Sequence, residues 1–343
     1  MNKTDKINTI KVSKNKVIEI FKQLIKQIKI DIDNTSGKEQ TKNMFRLKSI
    51  ETATKIIEKL SNNEISINQI KNIKGIGEGT IRRIGEIIQT GKLKEIKITK
   101  KDENFLRIIS DLEEVYGVGK KTAYKLFKNY NIKTLDDLKD KIKKGEIELN
   151  ENILKGLNYV GKINTNINRK IIEEIHEFLL DILLQIDPEL FGTITGSYRR
   201  MKETVGDIDF LLTHPKLKTK KETDKYNIYF KDFIMKLQNK EFIIETLTGI
   251  DVKSKFMGIF KFNNIIGRID IRYIPYNSYY PALLYFTGNK DFNRNMRMVA
   301  ISKGYKLNEY GLYKNNKQFI VNSEKEIFDL LGLEYIQPIN RNQ

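Results

Sequence analysis

The residues with the plainest chemical potential are three aspartates. Asp207 and Asp209 stand two apart in Gly206-Asp207-Ile208-Asp209-Phe210. On a strand, positions i and i+2 face the same side, so this spacing predicts two carboxylates presented together. Like charges so close are unfavourable unless a cation lies between them, and hard oxygen ligands with room left for substrate phosphates suit Mg²⁺. Asp270 lies in Arg268-Ile269-Asp270-Ile271-Arg272, where both arginines share its face of a predicted strand, keep it ionised and orient it. Upstream, Thr195-Gly196-Ser197-Tyr198-Arg199-Arg200 supplies a turn whose amides and Ser197 hydroxyl could hold a triphosphate, while Arg200 neutralises phosphate charge as it develops. The chemistry implied is two-metal transfer to a hydroxyl, with Asp270 serving the metal at that hydroxyl. Alone, D-x-D is a common accident and R-x-D-x-R a surface strand ladder. Their combination with the Gly-Ser turn carries the reading.

The elements that must position these groups show in the periodicity. Val17, Ile20, Phe21, Leu24, Ile25 and Ile28 recur at helical spacing over 15–30, and 43–60 and 64–72 read the same way. A second helical stretch covers about 102–160, with Leu135, Leu138 and Ile142 on one face. A long amphipathic helix runs from 169 to 186 and stops before Pro188. The period then changes to short β-rich runs, TITGS, DIDFLLT, FIIETL, FMGIFKF and RIDIRYI, predicting a mixed α/β region over about 187–275. Residues 276–343 mix helices and short strands.

One repeat stands out. KNIKGIGEGTIRRIGEII (71–88) resembles EEVYGVGKKTAYKLF (113–127), and Gly75-x-Gly77 lies 42 residues before Gly117-x-Gly119. Paired glycines let the backbone turn sharply and approach a phosphate, and the helix that follows points its first amides at it. This is the helix-hairpin-helix arrangement for gripping a nucleic-acid backbone without reading bases. A single G-x-G is also an ordinary helix-helix turn; two copies in a basic chain favour DNA. Carbonyls of Lys71, Ile73 and Ile76, and of Glu113, Val115 and Val118, could hold K⁺ or Na⁺ between protein and phosphate.

The 343 residues carry 62 Lys+Arg against 44 Asp+Glu, a net +18. Residues 1–100 hold 22 basic and 11 acidic side chains against 40 and 33 in the remainder, so the N-terminal third is the stronger electrostatic grip on a polyanion. The absence of cysteine excludes disulfides, thiolate zinc sites and cysteine nucleophiles, and two histidines exclude a histidine-rich metal centre. No apolar run spans a membrane and the N-terminus lacks a signal-peptide core. A soluble intracellular protein is expected, with nucleus or cytoplasm undecided.

The sequence resembles the family X DNA polymerases, most closely the polymerase beta type. The matches are GSYRRMKETVGDIDFLLTHP (196–215), KSKFMG (253–258), RIDIRYIP (268–275), YYPALLYFTGNKDFNRNMR (279–297), GYKLNEYGLY (304–313), both hairpins and IFDLLGLEY (327–335). The resemblance implies an α+β multi-domain chain. A helical lyase-type, DNA-binding domain (1–98) carries the first hairpin and a helical subdomain (99–160) the second. A catalytic palm with a mixed β-sheet (161–275) and an α/β subdomain binding the nascent base pair (276–343) follow. It implies templated, gap-filling DNA synthesis by a monomer from deoxynucleoside triphosphates on gapped or primer-template DNA, with two Mg²⁺ (Mn²⁺ substituting) at Asp207, Asp209 and Asp270. Gly196, Ser197, Arg200 and Gly206 match residues at the incoming triphosphate. Tyr285, Phe286 and Gly288 match the segment holding sugar and base, and Asn293 and Arg297 match contacts to the nascent pair and template. Gly75, Gly77, Gly117, Gly119, Arg268, Arg297 and Tyr310 stand at DNA-binding positions. Without the resemblance, Tyr285 and Phe286 would read as core, and Asn293, Arg294 and Arg297 as a solvated helix face.

Departures limit what carries over. The family's sugar-phosphate lyase forms a Schiff base through a lysine where this chain has Arg83, and a guanidinium stays protonated. Asn166 stands where an arginine usually assists triphosphate binding, and Lys290 where polymerase beta has an acidic residue beside the incoming base. Only NNIIG separates FMGIFKF from RIDIR, a short loop that favours templated synthesis. No partner-binding domain is expected before residue 1 and no phosphoesterase domain after 343. Two other readings stay open: a nucleotidyltransferase of the same superfamily acting on RNA, which would need neither hairpin nor YFTG, and an inactive gap-binding protein, against which all three carboxylates argue.

Overall fold

The computed structural model describes residues 8–97, 99–248 and 253–342; the expected boundary at residue 98 falls outside them. The chain divides into two compact units. One comprises Met1–Glu114 with Val118–Glu148, the other Val115–Gly117 with Leu149–Gln343.

The first unit is helical. Short strands β1 (Val12–Ser13) and β2 (Glu64–Ile65) pair antiparallel beside α1 (Lys14–Asn34), α2 (Gly37–Glu58), α3 (Ile67–Ile70) and α4 (Glu78–Thr90). Val17, Phe21, Leu24 and Ile28 of α1 pack on Ile50, Ala53 and Ile57 of α2 and on Ile70, Ile84 and Ile87, all essentially without solvent contact. The helix expected over 64–72 is cut back at both ends, to Ile67–Ile70. Glu64 and Ile65 are taken into β2, and Ser66 caps α3 through a reciprocal box with Gln69, which fixes its first residue at Ile67. Helices α5 (Lys100–Glu113), α6 (Lys120–Tyr130) and α7 (Leu135–Lys143) follow, with Phe105 edge-on to Tyr124 and Phe127.

The second unit opens with α8 (Glu151–Tyr159) and a short pair, β3 (Ile167–Asn168) with β5 (Thr204–Val205). Its centre is a five-stranded sheet made of β4 (Phe191–Ile194), β6 (Ile208–Thr213), β7 (Ile243–Thr246), β8 (Lys255–Phe262) and β9 (Ile265–Tyr273). The order is β4-β6-β9-β8-β7, with β6 parallel to β9 and the other pairs antiparallel. The expected strand TITGS ends at Ile194. Gly196 takes φ +57, and Gly196–Arg199 form a helical turn, α10.

One sheet face is apolar. Ile208, Phe210 and Leu212 of β6 and Ile269, Ile271 and Tyr273 of β9 lie in the same cluster as Ile172, Ile175 and Leu179 of α9 (Arg169–Leu184). Phe230, Phe233 and Leu237 of α12 (Ile228–Asn239) complete it; the six-residue α11 (Lys220–Lys225) precedes α12. The alternate positions, Asp209 on β6 and Arg268, Asp270 and Arg272 on β9, are only partly buried and turn to the opposite face, as period-2 alternation requires. Beyond Tyr273 come α13 (Tyr279–Thr287), α14 (Lys290–Ser302), the ribbon β10 (Lys306–Asn308), β11 (Gly311–Lys314) and β12 (Lys317–Phe319), and α15 (Glu324–Leu330). They share a core of Leu284, Met296, Ala300, Leu312 and Phe328.

Packing at the edge of this sheet is tight at Gly192 on β4. A Cβ there would lie 2.8 Å from the Leu211 carbonyl oxygen and inside contact distance of the Phe210 ring. Gly192→Ala is therefore expected to overpack the β4–β6 pair and destabilise the protein by about 1–3 kcal/mol, read as a lower urea midpoint at unchanged slope. Wild-type stability in this variant would refute the packing argument.

Candidate active site

The site is built on the parallel pair β6–β9. Their register sets Asp209 directly opposite Asp270, and Asp207 immediately precedes β6. The three aspartates named by spacing therefore converge at one end of the parallel pair. Burial first, and then the nearby Asp207 and Asp270, push the Asp209 carboxyl up to about 7 against the pull of Arg268 and Arg272. Asp270 is also held above the usual carboxylate range, chiefly by burial, with Arg268 opposing and Asp207 adding to the rise. Arg268 Nη2 donates to Asp207 Oδ2 at 2.7 Å. A hard, all-oxygen set whose members repel one another fits divalent cations, which supply the missing positive charge.

The Gly196–Arg200 turn hangs on the same strand. The Thr195 amide and hydroxyl both donate to the Asp209 carbonyl, at 2.7 and 3.0 Å. A Cβ on Gly196 would lie 2.8 Å from Asp209 Oδ2, so only glycine allows this approach at φ +57. A cleft of about 380 Å³ opens here, lined by Gly196, Ser197, Arg200, Asp207 and Asp209 on one side. Tyr285, Phe286, Gly288, Lys290, Asn293 and Arg297 line the other. Asn293 Nδ2 donates to the Tyr285 carbonyl at 2.6 Å, which fixes α14 against the end of α13. Arg200 donates to the Thr287 carbonyl at 2.6 Å and to Asn342 Oδ1 at 2.9 Å, and Asn342 Nδ2 returns a bond to the Arg200 carbonyl at 3.0 Å.

Several of these partners were missed by sequence reasoning. Arg199 donates to Thr287 Oγ1 at 2.8 Å and to both oxygens of buried Glu324, at 3.1 and 2.6 Å. Glu324 also receives Arg341 Nη1 at 2.7 Å. Arg341 is itself 2% exposed and lies over the Phe292, Phe328 and Tyr335 rings. The only available signal was the pair of adjacent arginines after the Gly-Ser turn, one of which is bound to need an acid if buried.

Other expected site residues lie elsewhere. Gly206 precedes β6 outside the cleft lining, and a Cβ there would meet the Thr165 carbonyl at 3.4 Å. Tyr310 is half exposed and lines a separate cavity of about 460 Å³ with Arg272 and Phe286. The two hairpins share one backbone. Gly75 and Gly117 take φ +99 and +85, and Gly77 and Gly119 cap α4 and α6 at φ −88 and −86. A Cβ on Gly77 or Gly119 would meet nothing within 4 Å, so both caps face open space. In the first hairpin the Ile73 carbonyl accepts the Ile76 amide at 3.0 Å. Arg83 is ion-paired with Glu95, which also receives Arg46 Nη2 at 2.6 Å, and Arg46 reaches Asp31 at 3.4 Å. Burial raises the Glu95 carboxyl, but the two arginines outweigh it and hold it below the usual range.

Asp187, Glu189 and His214 also bring ligand-type atoms within 4.8 Å of one another. His214 Nδ1 accepts the Lys216 amide at 3.2 Å and Nε2 faces Asp187 at 3.5 Å, while Lys216 pairs with Glu189. In that tautomer Nε2 carries the proton, and the group satisfies itself.

Comparison with known proteins agrees with this geometry. Family models match as "DNA polymerase beta palm" over residues 166–276, "DNA polymerase beta thumb" over 282–342 and "Fingers domain of DNA polymerase lambda" over 110–164. Among relatives, DNA polymerase lambda of Arabidopsis thaliana is 31% identical over 84% of this chain and 56% of its own length. DNA polymerase lambda of Rattus norvegicus is 27% identical over 81% of this chain and 49% of its own. The chain thus spans about half the length of the relatives it matches. With the α+β architecture, the palm match across all three aspartates and the thumb match across the facing helices, the chain belongs to the family X DNA polymerases.

Proposed function

We propose that this chain is a template-directed DNA polymerase of the repair type, filling short gaps from deoxynucleoside triphosphates. The observation that carries it is the register of Asp209 against Asp270, beside Asp207, at a cleft shared by the Gly196–Arg200 turn and the Tyr285–Arg297 segment. Asp207 and Asp209 would hold two divalent cations, Mg²⁺ or Mn²⁺, with Asp270 completing the one at the primer 3′-hydroxyl. Bound there, the cations lower the hydroxyl pKa and neutralise charge on the leaving pyrophosphate. In the reaction the primer O3′–Pα bond forms as the Pα–O bond to pyrophosphate breaks. Ser197 and Arg200 hold the β- and γ-phosphates, and Tyr285, Phe286 and Gly288 position the sugar and base. Asn293 and Arg297 bear on the nascent pair and template, and the open hairpin caps grip DNA phosphates, with K⁺ or Na⁺ bridging. We propose a monomer acting on gapped DNA.

Asp270→Ala is expected to abolish primer extension while gapped-DNA affinity stays within about two-fold, since the carboxylate serves the metal and not the DNA grip. Near-wild-type extension would sink the assignment.

The raised Asp209 carboxyl sets a pH dependence. Below about 7 it carries a proton that a cation must displace. Apparent Mn²⁺ affinity should therefore rise as pH climbs toward about 7, by up to roughly ten-fold per unit for one proton displaced, and level off above. Titration from pH 5.5 to 8.5 checks this. A flat profile contradicts it.

Lyase activity on a 5′-deoxyribose phosphate is proposed to be weak or absent. Arg83 cannot form a Schiff base, and a displaced amine such as Lys42, Lys48 or Lys74 would be much slower. Borohydride trapping on a 5′-sugar-phosphate substrate should give little adduct. Arg83→Lys should raise the yield, and adding Glu95→Gln should raise it further, because Glu95 would hold a new lysine in its protonated form. Efficient trapping by the wild type would refute the proposal.

A further inference from the structure

Tyr116, at the tip of the second hairpin, makes contacts that the catalytic reading has not used. It belongs to the three-residue segment Val115–Gly117 that packs into the second unit. Its backbone is clasped by α8: a Cβ on Gly156 would lie 2.6 Å from the Tyr116 carbonyl oxygen, and one on Gly117 would lie 3.0 Å from Ile153 Cγ1. Its hydroxyl donates to Met257 Sδ at 3.4 Å, and Met257 is the register partner of Asp270 across β8–β9. Its ring faces the Arg268 guanidinium at 5.8 Å, whose Nη2 holds Asp207. The phenol is half-buried and its pKa is raised, first by that burial and then by Asp270, which sets it close to the carboxylates. Side chains held on the backbone, at the ring face and at the hydroxyl have little freedom to leave.

We propose that Tyr116 is a positioning residue for the metal site: its ring is the seat that holds Arg268 to one side, so that Asp207 can exchange the guanidinium for a cation. The inference rests on the metal-site reading above. Arg268 is a competitor as well as a counter-charge. A guanidinium free to lie across a carboxylate takes both oxygens and excludes a cation. A ring face attracts the same guanidinium by its quadrupole and keeps the competing contact to one nitrogen. Phenylalanine preserves that face, whereas leucine preserves only apolar bulk.

The test uses the full-length chain with gapped DNA ending in a dideoxynucleotide and the matching triphosphate, and counts bound Mn²⁺ by electron paramagnetic resonance. Tyr116→Leu should weaken Mn²⁺ binding about three- to ten-fold, in line with the loss of a partly desolvated cation–π contact, with gapped-DNA affinity unchanged within two-fold. Tyr116→Phe should bind Mn²⁺ as the wild type does. In an Arg268→Gln background, Tyr116→Leu should have no further effect, since the pair acts through one contact. The proposal is overturned if Tyr116→Leu leaves Mn²⁺ affinity intact, if Tyr116→Phe is as impaired as leucine, or if the leucine effect survives without Arg268. A loss of DNA affinity alone would make Tyr116 a DNA contact instead. Asp207→Asn is the separate control: if it leaves Mn²⁺ binding intact, the metal-site reading itself fails, whatever Tyr116 does.

Discussion

The mutual repulsion of three carboxylates at one end of a parallel strand pair is the constraint from which the second unit is best understood. Left in water, Asp207, Asp209 and Asp270 would separate. Here β6 and β9 hold Asp209 against Asp270 in register, and burial raises the cost of charging them together. A sheet can impose this only if it is anchored elsewhere. The opposite face supplies the anchor, where Phe210, Ile269, Ile271 and Tyr273 are sealed under α9 and α12. Burial of apolar area there offsets the electrostatic penalty on the other side of the same strands. The strain is local, and a cation set among the three carboxylates would relieve it.

The same logic reaches the Gly196–Arg200 turn. Arg200 faces the cleft, but Arg199 beside it is directed to Glu324, and Glu324 is shared with Arg341. A buried acid between two guanidiniums is satisfied only when both are present, so removing one leaves an uncompensated charge. The turn is thereby tied to a segment more than a hundred residues later in the chain. Asn342 completes the tie through a reciprocal pair of bonds with Arg200. The position of Arg200, the proposed phosphate ligand, thus depends on the last described residues of the protein.

What the sequence made legible was whatever is local. The i, i+2 spacing of Asp207 and Asp209, the alternation through Arg268-Asp270-Arg272 and the duplicated Gly-x-Gly each express a backbone period within a few residues. The convergence of Asp270 on Asp209 was inferred from what the chemistry needs, because strand register is a long-range fact that no single segment carries. Glu324, Arg341 and Asn342 were invisible for the same reason: their types are ordinary and their partners lie far away. Residues 64–72 failed differently. An apolar run at helical spacing cannot reveal that Ile65 is claimed by pairing with Val12, a tertiary override of a local pattern.

The first unit shows how a single-residue substitution should be weighed against its surroundings. Arg83 taken alone is a guanidinium where an amine would be needed. Its neighbours change the meaning, because Glu95 binds both Arg83 and Arg46, and Arg46 binds Asp31. Two cations and two anions close on one another, so the group presents little net charge to an incoming phosphate and leaves no free amine within itself. An isolated arginine could be a passing replacement in a pocket that otherwise kept its chemistry. An arginine matched by a carboxylate whose pKa is drawn down toward it is part of a settled ion-pair arrangement that cross-links α1, α2 and α4 to the loop carrying Glu95. On the proposed reading, the basic surface of this unit would act through the open hairpin and the surrounding lysines, as a grip on phosphates rather than as a seat for covalent chemistry.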